Sequence, residues 1–350
     1  MQDKHTAGAC LESLQTIAHM LSAVFKESEI VQILLNQVSS TLASHKALVL
    51  LVTGRGDELV VAGAVGLSET YLAKMRGPVS DTPVNQRALD GELVVIPDVT
   101  SAPAFPRALA EAEHLQGLVA VPLSVRDRAI GLIHVYADGP AEQSPEELPL
   151  LRAVTDLGAL ALEKARLSQS LYRIAEALSS SLELEPMLQQ VLQSTVQGMW
   201  LMAGSIRLLD PKRQTLHLVA AYGLSKAYLD KGEEHLAKSE IDRRVLKGEA
   251  VVLHDVEHDS GFEYPEEAAR EGIRSILVVP LKVKDRPLGV MRVHSGRPRH
   301  FGPVAITFLR SIADLVSLAI ENAELYGALK AKYKELKLDL ADWYRFLALG

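Results

Sequence analysis

The chain has 350 residues, 48% hydrophobic and 23% charged, with mean hydropathy near zero, the composition of a soluble globular protein. Its formal net charge of −7 argues against non-specific nucleic-acid binding, which needs a cationic surface, and no stretch reads as an uninterrupted apolar membrane span. Cys10 is the only cysteine, so an intramolecular disulfide, cysteine-based zinc sites, iron–sulfur clusters and two-cysteine redox cycles are excluded.

Ala7-Gly8-Ala9-Cys10 faintly resembles a lipoprotein cleavage box. No apolar segment precedes it, so the N-terminus reads as an ordinary exposed one. Leu11, Leu14, Ala18, Leu21 and Phe25 are spaced three and four apart, which predicts an opening helix. Ile30, Ile33, Leu34 and Val38 predict a second. The period then changes. Residues 47–52 and 59–65 are β-rich apolar runs split by Thr53-Gly54-Arg55-Gly56-Asp57, a hairpin signal. Residues 93–96 predict a short strand, and 105–114 a short helix over the sheet. Residues 118–125 and 129–136 predict a second hairpin.

The same order then returns. Val121-Pro122-Leu123 through Gly131-Leu132 recurs as Val279-Pro280-Leu281 through Gly289-Val290, a shift of 158. Gly66-Leu67-Ser68 matches Gly223-Leu224-Ser225, and Gly91-Glu92 matches Gly248-Glu249, at a shift of 157. Asp98-Val99 matches Asp255-Val256, so the second copy carries one inserted residue between Val256 and Ile273. A period this long is a duplicated domain rather than a solenoid repeat. Each copy, with helices before and after a mostly antiparallel sheet, predicts an α+β architecture.

The closing helices carry a 3.5-residue period. Phe308, Ile312, Leu315, Ala319, Asn322, Tyr326, Leu329, Tyr333, Leu336, Leu340, Trp343 and Leu347 alternate four and three apart. A stripe this long predicts a coiled coil, with Asn322 as a register-fixing polar position. Leu150, Val154, Leu157, Ala161, Lys164, Ser168, Leu171, Ala175, Leu178 and Leu182 do the same in the first copy. With no Gly, Pro or Asn cluster from Leu160 to Leu184, one unbroken helix is expected to join the copies. Leu157, Leu171, Leu178, Leu315, Asn322, Leu329 and Leu336 are the expected dimer seam.

Taken together, the opening helix, the Gly-Leu-Ser turns, the Gly-Glu to Asp-Val segments, the two Val-Pro-Leu hairpins and the closing helices resemble a GAF domain twice over. The resemblance covers about Leu11 to Leu325. It divides the chain into GAF domains at 11–167 and 168–325, with a helical, coiled-coil extension at 326–350. It implies two profilin-like α+β domains, each an antiparallel sheet of six strands with helices on both faces. One face would pack on a helical bundle used for dimerisation. The other would carry a small-molecule pocket, roofed by the segment between the third and fourth strands. Such domains are usually sensory or regulatory.

Strand alternation can be set against that expectation. Ile130, Leu132, His134 and Tyr136 share one face of the last strand; Gly131, Ile133 and Val135 share the other. In the second copy Leu288, Val290, Arg292 and His294 oppose Gly289, Met291 and Val293. His134, Tyr136, Arg292 and His294 are therefore pocket candidates. The roofing segments add Arg87, Phe105 and His114 in the first copy. They add Arg243, Phe262, Tyr264 and Arg274 in the second, a cationic and aromatic set suited to an anionic or planar ligand. The opposing reading is that these polar groups are solvated or paired with nearby acids.

Known ligand chemistries of the family fit poorly. Cyclic-nucleotide members often carry Asn-Lys at the end of the last strand, then Phe-x3-Asp-Glu opening the final helix; here only Phe301 survives of that pattern. Bilin attachment needs a pocket cysteine, and Cys10 precedes the domain. The free methionine-sulfoxide reductases of this fold need catalytic cysteines. Haem needs an axial ligand; His114 lies roughly where haem-binding relatives place theirs, but a lone histidine on a polar helix is exposed by default. No phosphate-binding or dinucleotide loop, Gly-x-Ser-x-Gly or His-Glu-x-x-His motif is present. No cofactor or metal can be named, and the chain reads as a non-enzyme.

The expectation is a cytoplasmic homodimer. It would bind an unidentified small molecule in one or both pockets and signal through its helices to a partner in trans. The alternative is a scaffold dimer with degenerate pockets that holds a partner protein through its C-terminal helix, using Tyr326, Tyr333, Trp343, Tyr344 and Phe346. An enzyme with an unrecognised site is a third, weaker reading.

Overall fold

Apolar alternation in both copies builds the same six-stranded sheet. The computed structural model describes residue 15 and residues 26–349, apart from 43, 103–104, 106, 127, 138, 140–146, 181–182, 231–233 and 259–264. The opening helix predicted over 11–25 lies outside the described residues, save residue 15. The chain divides into two units. Unit 1 is Met1–Leu171 with Gln197–Met202, and unit 2 is Tyr172–Val196 with Ala203–Gly350.

Unit 1 begins with helix α1 (Glu27–Thr41) and strands β1 (Lys46–Val52) and β2 (Glu58–Val65). Helix α2 (Glu69–Lys74), the two-residue strand β3 (Gly77–Pro78), a 3₁₀ turn (Val79–Asp81) and helix α3 (Pro83–Leu89) follow. Strand β4 (Val94–Ile96) and helix α4 (Arg107–Ala112) lead into the hairpin β5 (Gly117–Val125) and β6 (Arg128–Ala137). The strand order is β3-β2-β1-β6-β5-β4, and every pair is antiparallel. Helix α5 (Glu147–Ser180) closes this unit and continues into the next.

Unit 2 contains α6 (Leu184–Gly198) up to Val196, then β7 (Ala203–Asp210), β8 (Thr215–Tyr222), α7 (Lys226–Leu229), β9 (Glu234–His235) and α8 (Glu240–Leu246). It ends with β10 (Val251–Leu253), α9 (Pro265–Glu271), β11 (Ser275–Val283), β12 (Arg286–Ser295) and α10 (Pro303–Leu349). Its strand order, β10-β11-β12-β7-β8-β9, repeats that of unit 1.

The sheet of unit 1 separates two cores by the two-residue period of its strands. Ala47, Val49, Leu51, Val119, Val121, Leu123, Ile133 and Val135 pack with Ile30, Leu34, Leu35 and Val38 of α1 and with Leu151, Val154 and Leu162 of α5. Leu48, Leu50, Leu118, Ala120, Leu132 and Tyr136 pack on the opposite, lid side, beneath α2, α3 and α4. Ile130 departs from the alternation expected of it and joins the helical side. The register of β5 against β6 shifts between Leu123 and Ser124, skipping Ile130. Such a bulge turns one residue to the other face. The second copy bulges at the matching place, between Leu281 and Lys282.

Three other sequence expectations change. Helix α5 stops at Ser180, and Leu184 opens a separate helix, so no single helix spans 160–184. Ser179, whose hydroxyl donates to the carbonyl of Glu176, and Ser180 are residue types that compete for backbone hydrogen bonds, and Pro186 is accepted because it falls in the first turn of α6. The edge strands β3 and β9 carry no apolar run, so alternation did not reveal them. Finally, α10 contains an 18-residue stretch of mean hydropathy 1.6 within Pro303–Lys337, long and apolar enough by composition to cross a membrane. In the fold, Leu309, Ile312, Ala313, Val316 and Ile320 of this stretch are buried, the stripe of an amphipathic core helix.

Helix α10 runs unbroken for 47 residues. Its buried stripe is rotated away from the predicted seam, and Ile312 belongs to the buried one. Leu315, Leu329 and Leu336 are exposed large hydrophobics, as are Tyr326 and Tyr333. Asn322 is exposed. In α5, Leu171 is exposed, whereas Leu157 and Leu178 are half-buried.

One close approach recurs in both sheets. A Cβ on Gly131 would collide with the backbone carbonyl of Leu50, and one on Gly289 with that of Arg207. Backbone in the sheet centre cannot yield as a flexible side chain can. Gly131→Ala is expected to destabilise unit 1, and Gly289→Ala unit 2, each by roughly 1–3 kcal/mol. Hydrogen exchange resolved by unit in denaturant checks this, and equal loss in both units from one substitution counts against it.

Candidate functional site

Under the lid of unit 1, burial forces polar side chains to satisfy one another. Tyr71 projects from α2, and His134 and Tyr136 from β6. All three are buried to within 1% of complete. The Tyr71 hydroxyl donates to Tyr136 Oη at 2.7 Å, and Tyr136 Oη lies 2.9 Å from His134 Nδ1. The rings meet edge-on, with centroids 5.9 and 5.8 Å apart. Burial pushes His134 down to about 3, and it raises both tyrosines, with the Tyr136 hydrogen bond opposing the rise at Tyr71. The chain Tyr71–Tyr136–His134 therefore exchanges hydrogen bonds without net charge.

Helix α3 lies over this network. Its Asn85 is buried, and among the described residues Asn85 Oδ1 and His134 Nε2 are buried atoms with no hydrogen-bond partner. Orphaned buried polar atoms are rare and call for an explanation.

Unit 2 builds the same place from other residues. By the repeat, Tyr71 becomes Tyr228, Tyr136 becomes His294, His134 becomes Arg292 and Asn85 becomes Asp242. Tyr228 and His294 keep the edge-on contact, with centroids 6.3 Å apart. The other two form an ion pair, Arg292 Nη2 lying 2.5 and 2.6 Å from the two carboxylate oxygens of Asp242. Asp242 is 1% exposed and the Arg292 side chain 13%.

The GAF domain model matches residues 26–163 and, again, residues 181–321, together well over half of the chain. The chain belongs to the GAF family. GAF domains are sensory and ligand-binding signalling modules. The circadian input-output histidine kinase CikA of Thermosynechococcus vestitus is 35% identical over 98 residues, 27% of this chain; the chain spans only 13% of that protein. A bacteriophytochrome of R. palustris aligns over 89% of this chain and 75% of its own, at 15% identity and a TM-score of 0.42. The free methionine-R-sulfoxide reductase of Neisseria meningitidis, solved with its substrate, aligns over 47% of this chain and 92% of its own, at 19% identity and a TM-score of 0.39. Tandem GAF domains are typically regulatory, while some proteins similar to them are enzymes.

Against this GAF frame, the sequence candidates sort by what they touch. Tyr136 and Phe105 come together in the lid-side core of unit 1, and His134 is bonded to Tyr136 there. Arg292 and His294 lie at the equivalent place in unit 2. The others do not converge. Arg87 is exposed and pairs with Glu92, its Nε 2.8 Å from the carboxylate; that pairing lowers Glu92 and raises Arg87. Arg244 and Glu249 repeat the pair, which marks it as scaffold. Arg243 donates to the carbonyls of Leu236 and Ala237 at 3.0 and 2.8 Å, tying down the loop before α8. Arg274 pairs with Asp255 and Glu257 at 3.1 and 3.3 Å. Those two acids and His258 form a potential metal cluster, but the Arg274 guanidinium already engages both carboxylates. His114 is exposed, with a left-handed φ of 53°; its counterpart is Gly272 at 79°. This is a helix-terminating position rather than a ligand position. Phe262 and Tyr264 lie outside the described residues.

Sequence reasoning missed Asn85, Asp242, Tyr71 and Tyr228. The signal was available: at one register the copies exchange Asn and His for Asp and Arg, a paired change of charge. It also missed the lid clamp. Glu113 accepts from the Ser68 hydroxyl and backbone N–H, and Glu271 does the same for Ser225, the N–H lying at 2.7 Å.

Because His134 is held below its unfolded value near 6.5, the unfolded chain takes up the proton first. Its contribution is complete above that pH and is lost as pH falls toward about 3. The stability of the wild type relative to His134→Asn is expected to decline in this window by up to about 1.4 kcal/mol per pH unit. Urea unfolding at a series of pH values measures it, and a pH-independent difference contradicts it. Asp242→Asn leaves the Arg292 guanidinium buried without its counter-charge and is expected to cost unit 2 roughly 3–5 kcal/mol in the same assay.

Proposed function

We propose that the chain is a cytoplasmic, dimeric sensory module. It binds a small molecule on the lid side of one or both GAF units and passes the bound state through α5 and α10 to a partner in trans. The observation that carries this reading is the asymmetry of the unit 1 sheet. The helical side is packed with aliphatic side chains, whereas the lid side buries a hydrogen-bonded polar cluster under short helices and loops. Polar groups convergent in a covered apolar site are what ligand recognition needs. A ligand shifts the helices only by its differential affinity for two packings.

The dimer part of the proposal rests on the stripe Leu315, Leu329 and Leu336, exposed in the single chain and spaced as a coiled-coil seam. The scaffold alternative draws on two observations. Arg292 and Asp242 answer each other within unit 2, and exposed Tyr326 and Tyr333 suit a protein interface.

Native mass spectrometry of the chain purified from its host tests the sensor: a bound small molecule supports it, and bare units with a protein held on α10 favour the scaffold. For the seam, Leu329→Asp with Leu336→Asp is expected to give monomers in sedimentation. An unchanged dimer removes this stretch of α10 from the interface.

A further inference from the structure

We propose that unit 1 binds a small uncharged molecule through an amide-like head, held between Asn85 of α3 and His134 of β6, where unit 2 carries its own guanidinium. This rests on the ligand-binding reading of the GAF units and names the ligand class and the unit that takes it. Asn85 stands 157 residues before Asp242, and His134 stands 158 before Arg292, the two shifts of the repeat. In unit 2 the long arginine spans from the sheet to the lid helix and closes on Asp242. In unit 1 the lid residue keeps its length, but the strand residue is shorter by roughly a guanidinium. At the ends that this exchange leaves short, Asn85 Oδ1 and His134 Nε2 are both buried without a hydrogen-bond partner.

The rest of the network sets what must fill the gap. Tyr71 donates to Tyr136, so the Tyr136 proton points to His134 Nδ1 and the histidine carries its own proton on Nε2. The missing group must accept from Nε2–H and donate to Asn85 Oδ1. An amide, urea or lactam does both. If the hydrogen-bond chain runs in the opposite sense and the Asn85 amide is turned, the same group still fits, because it offers both a donor and an acceptor. A carboxylate offers no donor, and it meets a neutral imidazole rather than a cation. At the matching positions of unit 2 the Arg292–Asp242 pair already fills this place.

The 350-residue chain is titrated with acetamide, methylurea and acetate, with binding read by saturation-transfer NMR and by thermal melting. Acetamide and methylurea are expected to bind saturably and acetate not. The double variant Asn85→Asp with His134→Arg, which gives unit 1 the pair of unit 2, is expected to weaken amide binding at least tenfold while melting no lower than the wild type. The reverse exchange, Asp242→Asn with Arg292→His, is expected to create a second amide site. If the first double variant does not fold, Asn85→Leu takes its place with the same expected loss. Amide binding that is unchanged in these variants overturns the assignment, as does a wild type that binds no amide and holds only water in the gap. A host-derived small molecule that stays bound to the first double variant removes this assignment while leaving the sensor reading intact; a chain that binds neither it nor the amides removes both.

Discussion

A polar side chain on the middle strand of a sheet covered on both faces has no route to water. It must be answered by whatever packs above it, and this constraint organises both units. Strands β6 and β12 lie at the fourth and third places of six-stranded sheets, and each carries two polar residues toward the lid. Unit 2 answers Arg292 with a carboxylate from α8. Unit 1 answers His134 with a neutral hydroxyl chain that ends on α2. The ion pair must offset the desolvation of two charges; the neutral network avoids that cost but leaves an imidazole nitrogen and an amide oxygen unanswered. The position of the lid helix is thus coupled to the chemistry of one strand residue.

The duplicated chain acts as its own control. Features that recur at the repeat register are scaffold: the Ser–Glu clamp between the Gly-Leu-Ser turn and the lid helix, the Arg–Glu pair after α3 and α8, and the arginines of α5 and α10 that donate to the carbonyls of Gly91 and Gly248. The bulge beside each glycine of the last strand recurs too. What does not recur is the pair under the lid. Two copies under the same steric demands have kept the frame and exchanged the polar contents, as expected when the frame serves folding and the contents serve recognition.

The helical face serves a different purpose. Its core is aliphatic and tightly interlocked; a side chain on Gly158 of α5 would run into Leu34 of α1. Close-packed interfaces of this kind have discrete arrangements rather than a continuum, which suits elements that carry a regulatory state. Helix α10 shows two stripes at once. One is taken up by its own unit. The other is apolar and open to solvent in the isolated chain, and it continues past the last strand for several turns.

The sequence by itself determined the duplication, the succession of the longer strands along each copy and the direction in which His134, Tyr136, Arg292 and His294 point. These follow from local period: side chains two apart on a strand share a face whatever packs on it. Only the tertiary structure decided who meets them. Asp242 and Arg292 are far apart in the chain, and the short lid helices, which set what lies above each strand residue, are too brief to leave a periodic signature. Arg87, His114, Arg243 and Arg274 show the converse. Their residue types suggested a binding site, but neighbours only a few residues away, or on an adjoining loop, took up their charge or set their backbone. The break at Ser180 and the displacement of Ile130 belong with these, since a helix end and a bulge depend on competition between alternative hydrogen bonds. Periodicity assigns faces; contacts across the lid depend on three-dimensional closure, which no window of sequence contains.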